Sequence, residues 1–159
     1  IKAIPAEIGG GFGGKTIIYL EPLAMILSKK CGRPVKMQNT REEVFHSTGP
    51  APGMSARLKV GATKEGKITA VQGVYNMQAG CYPGSPVGRA CHFSFSCYDI
   101  ENADLKGLDI VSNRPNVAAY RAPGAPQGNY VFEAMLDEIA KKLNIDPWEL
   151  RLRNRVTSE

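Results

Sequence analysis

Residues 9–16 read GGGFGGKT, which places five glycines and a single aromatic residue within six consecutive positions. Glycine buries no side chain and loses more backbone entropy on folding than any other residue, so such a run is a poor packing element. An ordinary turn needs only one or two glycines. The stretch therefore predicts a loop whose backbone N–H groups come close to a bound molecule, with Phe12 as its one large side chain.

A second loop of the same kind follows more than a hundred positions later, where residues 120–127 read YRAPGAPQ. Its proline and glycine residues favour a tight, non-helical backbone. We expect the two loops to meet at one site. The alternative interpretation is that both stretches are ordinary turns.

Charge and hydropathy exclude two classes of partner. The net charge is +5, but lysine and arginine are scattered along the chain without a dense basic tract. This pattern is typical of a solvated surface rather than of a nucleic-acid interface. No apolar run reaches the roughly 18 residues that a membrane-spanning helix needs. We therefore expect no nucleic-acid partner and no membrane partner.

The four cysteines lack the Cys-x-x-Cys spacing of metal or cluster sites, so no metal site is expected in this chain. Reduced thiols are typical of cytoplasmic proteins, which predicts a cytoplasmic location. The sequence begins without an initiator methionine, and we expect it to be a fragment of a longer chain.

The element pattern predicts an α+β fold with a mixed sheet, in which a long hairpin packs against helices. Alternating apolar residues over 54–80 predict the hairpin, with Gly66 supplying the positive φ of its turn. The other predicted elements are strands at 2–8, 35–38 and 108–111, and helices at 17–31, 41–47, 128–144 and from 147 onward. Thr40 with Glu43 fits a capping box, and Asp146 with Pro147 fits a helix start.

Residues 9–16 also match the phosphate-binding loop of nucleotide triphosphatases, GxxxxGK[ST]. Two features disfavour this hypothesis. A helix opened by Lys15 and Thr16 would place Pro22 in its second turn, at a cost of about 3 kcal/mol. The strand predicted at 35–38 also carries no carboxylate to hold magnesium. If the helix begins a few residues later, Pro22 lies in its first turn, where proline is tolerated.

A resemblance to a known family covers residues 4–155. The chain resembles the molybdopterin-binding subunit of the xanthine dehydrogenase and aldehyde oxidase family. The resemblance rests on stretches that occur in the same order in that family: GGGFGGK at 9–15, GRPV at 32–35, REE at 41–43, YRAPGAPQ at 120–127, EAMLDEIA at 133–140 and DPWELRLRN at 146–154.

The resemblance implies that residues 1–159 are a fragment of a molybdopterin-binding domain in the large subunit of a molybdenum hydroxylase. Such an enzyme hydroxylates an aldehyde or an aromatic or N-heteroaromatic carbon with oxygen derived from water. The implied cofactors are molybdenum–molybdopterin in the parent enzyme and 2Fe-2S and FAD on partner domains or subunits. The implied partners are the remainder of the subunit, those domains and a small-molecule substrate.

The resemblance also assigns roles to residues of the two loops. Arg121 is the expected catalytic residue. The residues expected to bind the cofactor are Gly11, Phe12, Gly13, Ala122, Gly124 and Gln127. The residues expected on the substrate side are Phe12, Thr16, Arg89 and Pro123.

Two departures from the family pattern bear on the expected substrate and on the activity of the isolated chain. Xanthine-active members carry glutamate at the position of Thr16 and a second aromatic residue within the 121–124 loop, which argues against a purine substrate. The glutamate that acts as general base in the family lies beyond this sequence. We therefore expect the isolated chain to contain no molybdopterin, to be inactive and to self-associate through uncovered surface. A non-catalytic scaffold module is the remaining alternative.

Overall fold

A computed structural model describes Lys2, Ile4 and residues 7–157. The chain forms five helices and three strands in the described part, and the predicted α+β fold is confirmed. In chain order the elements are α1 (Glu21–Cys31), α2 (Arg41–Ser47), β1 (Met54–Ala62), β2 (Ile68–Gly80), α3 (Val87–Phe93), β3 (Asn102–Val111), α4 (Ala125–Leu143) and α5 (Pro147–Asn154).

The three strands form one mixed sheet in the order β1-β2-β3. β1 and β2 pair as the predicted antiparallel hairpin, and Gly66 at its turn has φ of 86°. β3 runs parallel to β2, with Tyr75 opposite Gly107. A parallel pair needs a crossover connection, and the segment that carries α3 supplies it. β2 is therefore the central strand.

The core lies between the sheet and the long helix α4. The apolar stripe predicted on α4 is confirmed, because its buried side chains pack with those of β2 and α5. The buried members of this cluster are Ile68, Val71, Phe132, Leu136, Ile139, Ala140 and Leu150. Each large apolar side chain buried here stabilises the fold by about 1.5–3 kcal/mol.

The packing of α3 against α4 depends on Gly128. A Cβ atom built at Gly128 would lie 2.2 Å from the carbonyl oxygen of Ala90, which belongs to the backbone of α3. The neighbouring Ser94 hydroxyl is fixed by hydrogen bonds to Ala90 O at 2.8 Å and Tyr75 Oη at 2.7 Å. The two helices can approach this closely only where one of them lacks a side chain.

Replacing Gly128 with alanine is expected to lower the free energy of unfolding by about 2 kcal/mol, because an added methyl group in a filled contact forces the backbones apart. Gly88→Ala is the matched control. Gly88 also lies in a helix, but an added Cβ would meet nothing within 4 Å, so helix propensity alone should stabilise that variant. Equilibrium urea unfolding of both variants measures the difference, and equal effects would contradict the close-contact explanation.

Asn154 joins α5 to the hairpin turn through a fully buried side-chain amide. Its Oδ1 accepts a hydrogen bond from Ile68 N–H at 2.7 Å. Its Nδ2 donates to Gly66 O at 2.7 Å and to Leu150 O at 2.8 Å. α5 begins as predicted, with Asp146 Oδ1 accepting from the first backbone N–H groups of the helix.

The N-terminal segment is packed differently from the rest of the chain. None of residues 7–49 is buried. The predicted capping box of α2 is confirmed, since Thr40 N–H donates to Glu43 Oε2 at 2.7 Å and Glu43 N–H donates to Thr40 Oγ1 at 3.2 Å. The apolar side chains of α1 remain accessible, and Ile26 is 58% exposed.

Several sequence expectations differ from the structure. Residues 125–127, expected in a non-helical loop, form the first turn of α4, and β3 begins at Asn102 rather than at Leu108. α1 begins at Glu21 rather than at Ile17, which places Pro22 in its first turn. Residues 35–38 alternate between half-buried and exposed as predicted, but they pair with no strand among the described residues, and an extended segment without a partner is not part of a sheet. The strand predicted at 2–8 lies partly outside the described residues, and its described positions belong to no strand. Among the helices of the described part, none is long and apolar enough to cross a bilayer.

Candidate functional site

The two loops identified in the sequence meet in the structure. The backbone N–H of Arg121 donates a hydrogen bond to the carbonyl oxygen of Phe12 at 2.7 Å. Gly13 lies against the segment that precedes Arg121, since a Cβ atom built at Gly13 would lie 3.0 Å from Ala119 Cβ. Residues separated by more than a hundred positions therefore form one surface, and the expectation that the loops meet is confirmed.

Both loops contain a strained residue at this junction. Phe12 has φ of 49° and Ala122 has φ of 55°. In the described part of the chain the remaining non-glycine residue with positive φ is Asn144, which ends α4 in the left-handed conformation common for helix C-caps. The left-handed conformation costs a non-glycine residue about 1–2 kcal/mol, and such residues cluster where a backbone is shaped for a ligand.

The physical reason for a glycine differs from position to position in the two loops. Gly13 and Gly124 have φ of 96° and 86° and press against backbone atoms of their neighbours, so the fold itself requires glycine there. Gly11 differs, because it lacks a positive φ and its added Cβ would make only an ordinary 3.6 Å contact with Lys15. The described residues give no packing reason for glycine at position 11. The open space beside it is available to a molecule outside this chain.

The Phe12 side chain is 64% exposed. A Cβ atom built at Gly10 would lie 3.0 Å from the Phe12 ring, so the ring lies over Gly10. The exposed part of this ring is an apolar surface beside the loop junction.

The polar side chains that follow the glycines bond back to the loop. Thr16 Oγ1 donates to Gly13 O at 2.8 Å, and Lys15 Nζ donates to Ile8 O. A phosphate-binding loop requires the lysine to face the ligand and the helix to begin at once. Here α1 begins only at Glu21, so the geometry does not favour the nucleotide triphosphatase hypothesis.

Arg89 lies beside the second loop, in α3. Its Cβ atom is 3.2 Å from the position that a Cβ on Gly124 would take. Asp109 of β3 fixes the segment leading into α3 by accepting hydrogen bonds from Gly84 N–H at 2.9 Å and Ser85 N–H at 3.1 Å. The Ser85 hydroxyl and these N–H groups lower the pKa of the Asp109 carboxyl below its usual value.

Two arginine residues belong to this part of the chain, Arg121 within the second loop and Arg89 beside it in α3. Arg89 and Arg121 are both exposed. The ion pairs formed among the described residues include neither of them. Neither cation is therefore neutralised by an ion pair within the described part of the chain.

Gln127 lies in the first turn of α4, directly after the second loop. Its side-chain oxygen is buried and has no hydrogen-bond partner among the described residues. Buried polar atoms are almost always paired, so an orphaned amide oxygen indicates a partner supplied from outside. Ala122 and Pro123 form a turn that leads from Arg121 into α4. The Ala125 N–H closes this turn by donating a hydrogen bond to Ala122 O at 3.1 Å.

The sequence analysis did not identify Tyr19 as a residue that contacts the glycine loop. Its hydroxyl donates to Gly14 O at 3.1 Å and accepts from Gly49 N–H at 3.2 Å. No local pattern indicates this contact, because a tyrosine just before a helix is common and its partner Gly49 lies thirty residues away.

Comparisons with known proteins agree on one family. The family model described as "Molybdopterin cofactor-binding domain" matches residues 1–155. The Escherichia coli K12 protein named "Probable hypoxanthine oxidase XdhD" is 34% identical over 159 residues, which covers 98% of this chain and 17% of that protein. The nicotinate dehydrogenase large molybdopterin subunit of Eubacterium barkeri is 31% identical over 157 residues, with 97% and 37% covered.

A solved structure shows the same fold. The aldehyde oxidoreductase from Desulfovibrio desulfuricans ATCC 27774 superposes with a TM-score of 0.87 at 29% identity, covering 94% of this chain and 17% of that one. The chain thus spans well under half the length of the proteins it resembles.

Proposed function

Since this chain belongs to the family of molybdopterin cofactor-binding domains, we propose that it is part of a molybdenum hydroxylase. The parent enzyme would hydroxylate an aldehyde or an aromatic or N-heteroaromatic carbon with oxygen derived from water. The observation that carries the proposal is the junction of the two loops at Arg121 N–H and Phe12 O. Each of these loops resembles a motif of the family, and the two loops are in direct contact.

The residues at the junction fit a molybdopterin cofactor. Gln127 has a buried amide oxygen that lacks a partner among the described residues, and a cofactor with several N–H groups can supply one. Gly11 leaves space beside the loop that no side chain in the described part of the chain occupies. We assign cofactor contacts to Gly11, Gly13, Gln127 and the turn formed by Ala122 and Gly124.

The bound cofactor would supply the oxidising centre and the oxygen-transfer chemistry. The chain's own residues would position the substrate and stabilise the charge that develops on it. The cation of Arg121 would stabilise negative charge that develops on the substrate, as a preorganised charge does in other active sites. The exposed ring of Phe12 would contact a planar substrate, and Arg89, Pro123 and Thr16 would lie on the substrate side.

The parent enzyme would need further domains or subunits as partners. Electrons would leave through 2Fe-2S and FAD carried by other domains or subunits, and the remainder of the subunit would complete the cofactor site. The four cysteines are free thiols, which supports a cytoplasmic location for the parent.

We expect purines to be poor substrates of the parent enzyme. Thr16 cannot offer the carboxylate that would bind purine N–H groups, and its hydroxyl already donates to Gly13 O at 2.8 Å. Sites that recognise a substrate by hydrogen bonds discriminate strongly when a partner is missing. One relative is named "Probable hypoxanthine oxidase XdhD" and another "Nicotinate dehydrogenase large molybdopterin subunit", so the expectation rests on Thr16 rather than on those names.

The test measures molybdenum content and kcat/KM of the full-length parent with xanthine, benzaldehyde and nicotinate. We expect stoichiometric molybdenum and a kcat/KM for xanthine at least tenfold below that of the best substrate. A parent without molybdenum would contradict the proposed function, and xanthine equal to the best substrate would contradict only the specificity inference.

A further inference from the structure

We propose that Tyr19 is a positioning residue for the glycine loop, and that its hydroxyl holds the Gly11–Gly14 turn in the orientation that the site requires. This inference rests on the proposed function, since it concerns the loop assigned to the cofactor. It adds a residue outside the loop motifs themselves.

The Tyr19 hydroxyl is a bridge between two backbones. It donates to Gly14 O at 3.1 Å and accepts from Gly49 N–H at 3.2 Å, in a half-buried position. Gly14 N–H in turn donates to Gly11 O at 2.8 Å, which closes the turn. Holding the Gly14 carbonyl therefore restrains the peptide groups of the whole turn.

The other end of the bridge is rigid. A Cβ atom built at Gly49 would lie 2.6 Å from both Ala118 Cβ and Asn116 O, so Gly49 is held tightly against the 116–118 segment. Ala118 N–H donates to Pro50 O at 3.0 Å, and Val117 N–H donates to Ala79 O at 3.0 Å. Ala79 belongs to the central strand β2. Tyr19 thus connects the glycine loop, through Gly49 and the 116–118 segment, to the C-terminal end of the central strand.

Few other interactions hold the loop. No residue between 7 and 49 is buried, so apolar packing does little to order this segment. Among the described residues, the Thr16 and Lys15 side chains bond only to the neighbouring carbonyls of Gly13 and Ile8. The loop meets the 119–121 segment through the Arg121–Phe12 hydrogen bond and the approach of Gly13 and Gly14 to Ala119. Because the Tyr19 hydroxyl fixes the Gly14 carbonyl to Gly49, its removal should loosen the turn without disturbing the core.

The experiment uses the full-length parent enzyme with Tyr19→Phe, which keeps the ring and removes only the hydroxyl. Tyr98→Phe is the matched control, because the Tyr98 hydroxyl is also half-buried and donates to Glu133 Oε1 at 2.6 Å, away from both loops. Three quantities are measured for each variant: amide hydrogen exchange of a peptide covering residues 9–16, molybdenum content, and kcat and KM separately.

For Tyr19→Phe we expect amide exchange in residues 9–16 to become about tenfold faster, since each lost hydrogen bond contributes modestly to local stability. We expect kcat to fall about tenfold while KM changes less than twofold, because the loop would be misplaced rather than the substrate lost. For Tyr98→Phe we expect exchange in residues 9–16 and kcat to stay within twofold of the wild type.

Two outcomes would overturn the inference. Unchanged exchange in residues 9–16 would show that the hydroxyl does not hold the turn, whether or not the enzyme carries molybdenum. Faster exchange with unchanged kcat in molybdenum-loaded enzyme would show that the turn's position does not matter for the reaction. The exchange measurement does not depend on the cofactor, so it separates failure of this inference from failure of the proposed function.

Discussion

Replacing Arg121 with alanine in the parent enzyme is expected to lower kcat/KM by on the order of tenfold to a thousandfold, the range for removing one preorganised stabiliser of developing charge. The Arg121 side chain is exposed at the loop junction. Its attachment to the glycine loop uses its backbone N–H, which alanine retains. Molybdenum content should therefore change little, and the loss should appear mainly in kcat.

Arg114→Ala is the matched control for this experiment. Arg114 is also an exposed arginine, but it lies between β3 and the second loop and has no assigned role. Its replacement should leave kcat/KM within twofold of the wild type. Full activity of Arg121→Ala would remove this residue from the site. Loss of molybdenum in that variant would instead show that the side chain maintains the cofactor site.

Replacing Asn154 with alanine is expected to lower the free energy of unfolding by about 3 kcal/mol. The variant leaves Ile68 N–H and Gly66 O buried without the partner that Asn154 provides. Each unsatisfied buried group costs about 1–3 kcal/mol. The hairpin turn would also lose its hydrogen bonds to α5. Equilibrium urea unfolding of residues 1–159 measures the change.

Asn102→Ala is the control, because Asn102 is exposed and its amide makes one hydrogen bond, to Thr69 O at 3.1 Å. Surface substitutions of this kind usually change stability by less than about 0.5 kcal/mol. If Asn154→Ala were as mild as the control, the buried amide would not be a connection that the fold requires.

Features fixed by neighbouring residues were predictable from the sequence. The Thr40–Glu43 capping box and the Asp146 cap each depend on positions within one helical turn. The hairpin was predictable because alternation and a turn glycine occur in one continuous stretch. The α4 stripe was predictable because helical spacing by itself decides which side chains face the core.

Features fixed by distant residues were not predictable in the same way. Nothing local to 102–111 indicates that this strand pairs parallel to β2. Residues 35–38 alternate as a strand does but lack a partner among the described residues. At the site, the loops were predicted from their unusual composition, whereas the role of Tyr19 depends on Gly49 and could not be read from either segment.

The uncovered N-terminal segment affects how the site forms during synthesis. The glycine loop is translated before its contacts Ala119 and Arg121, which follow more than a hundred residues later. At a translation rate of about 5–20 residues per second, the loop waits roughly 5 to 20 seconds for its partner. During that interval Phe12 and Gly13 lack the backbone partners that hold them in the folded chain, and residues 7–49 have no buried residue of their own to order the loop.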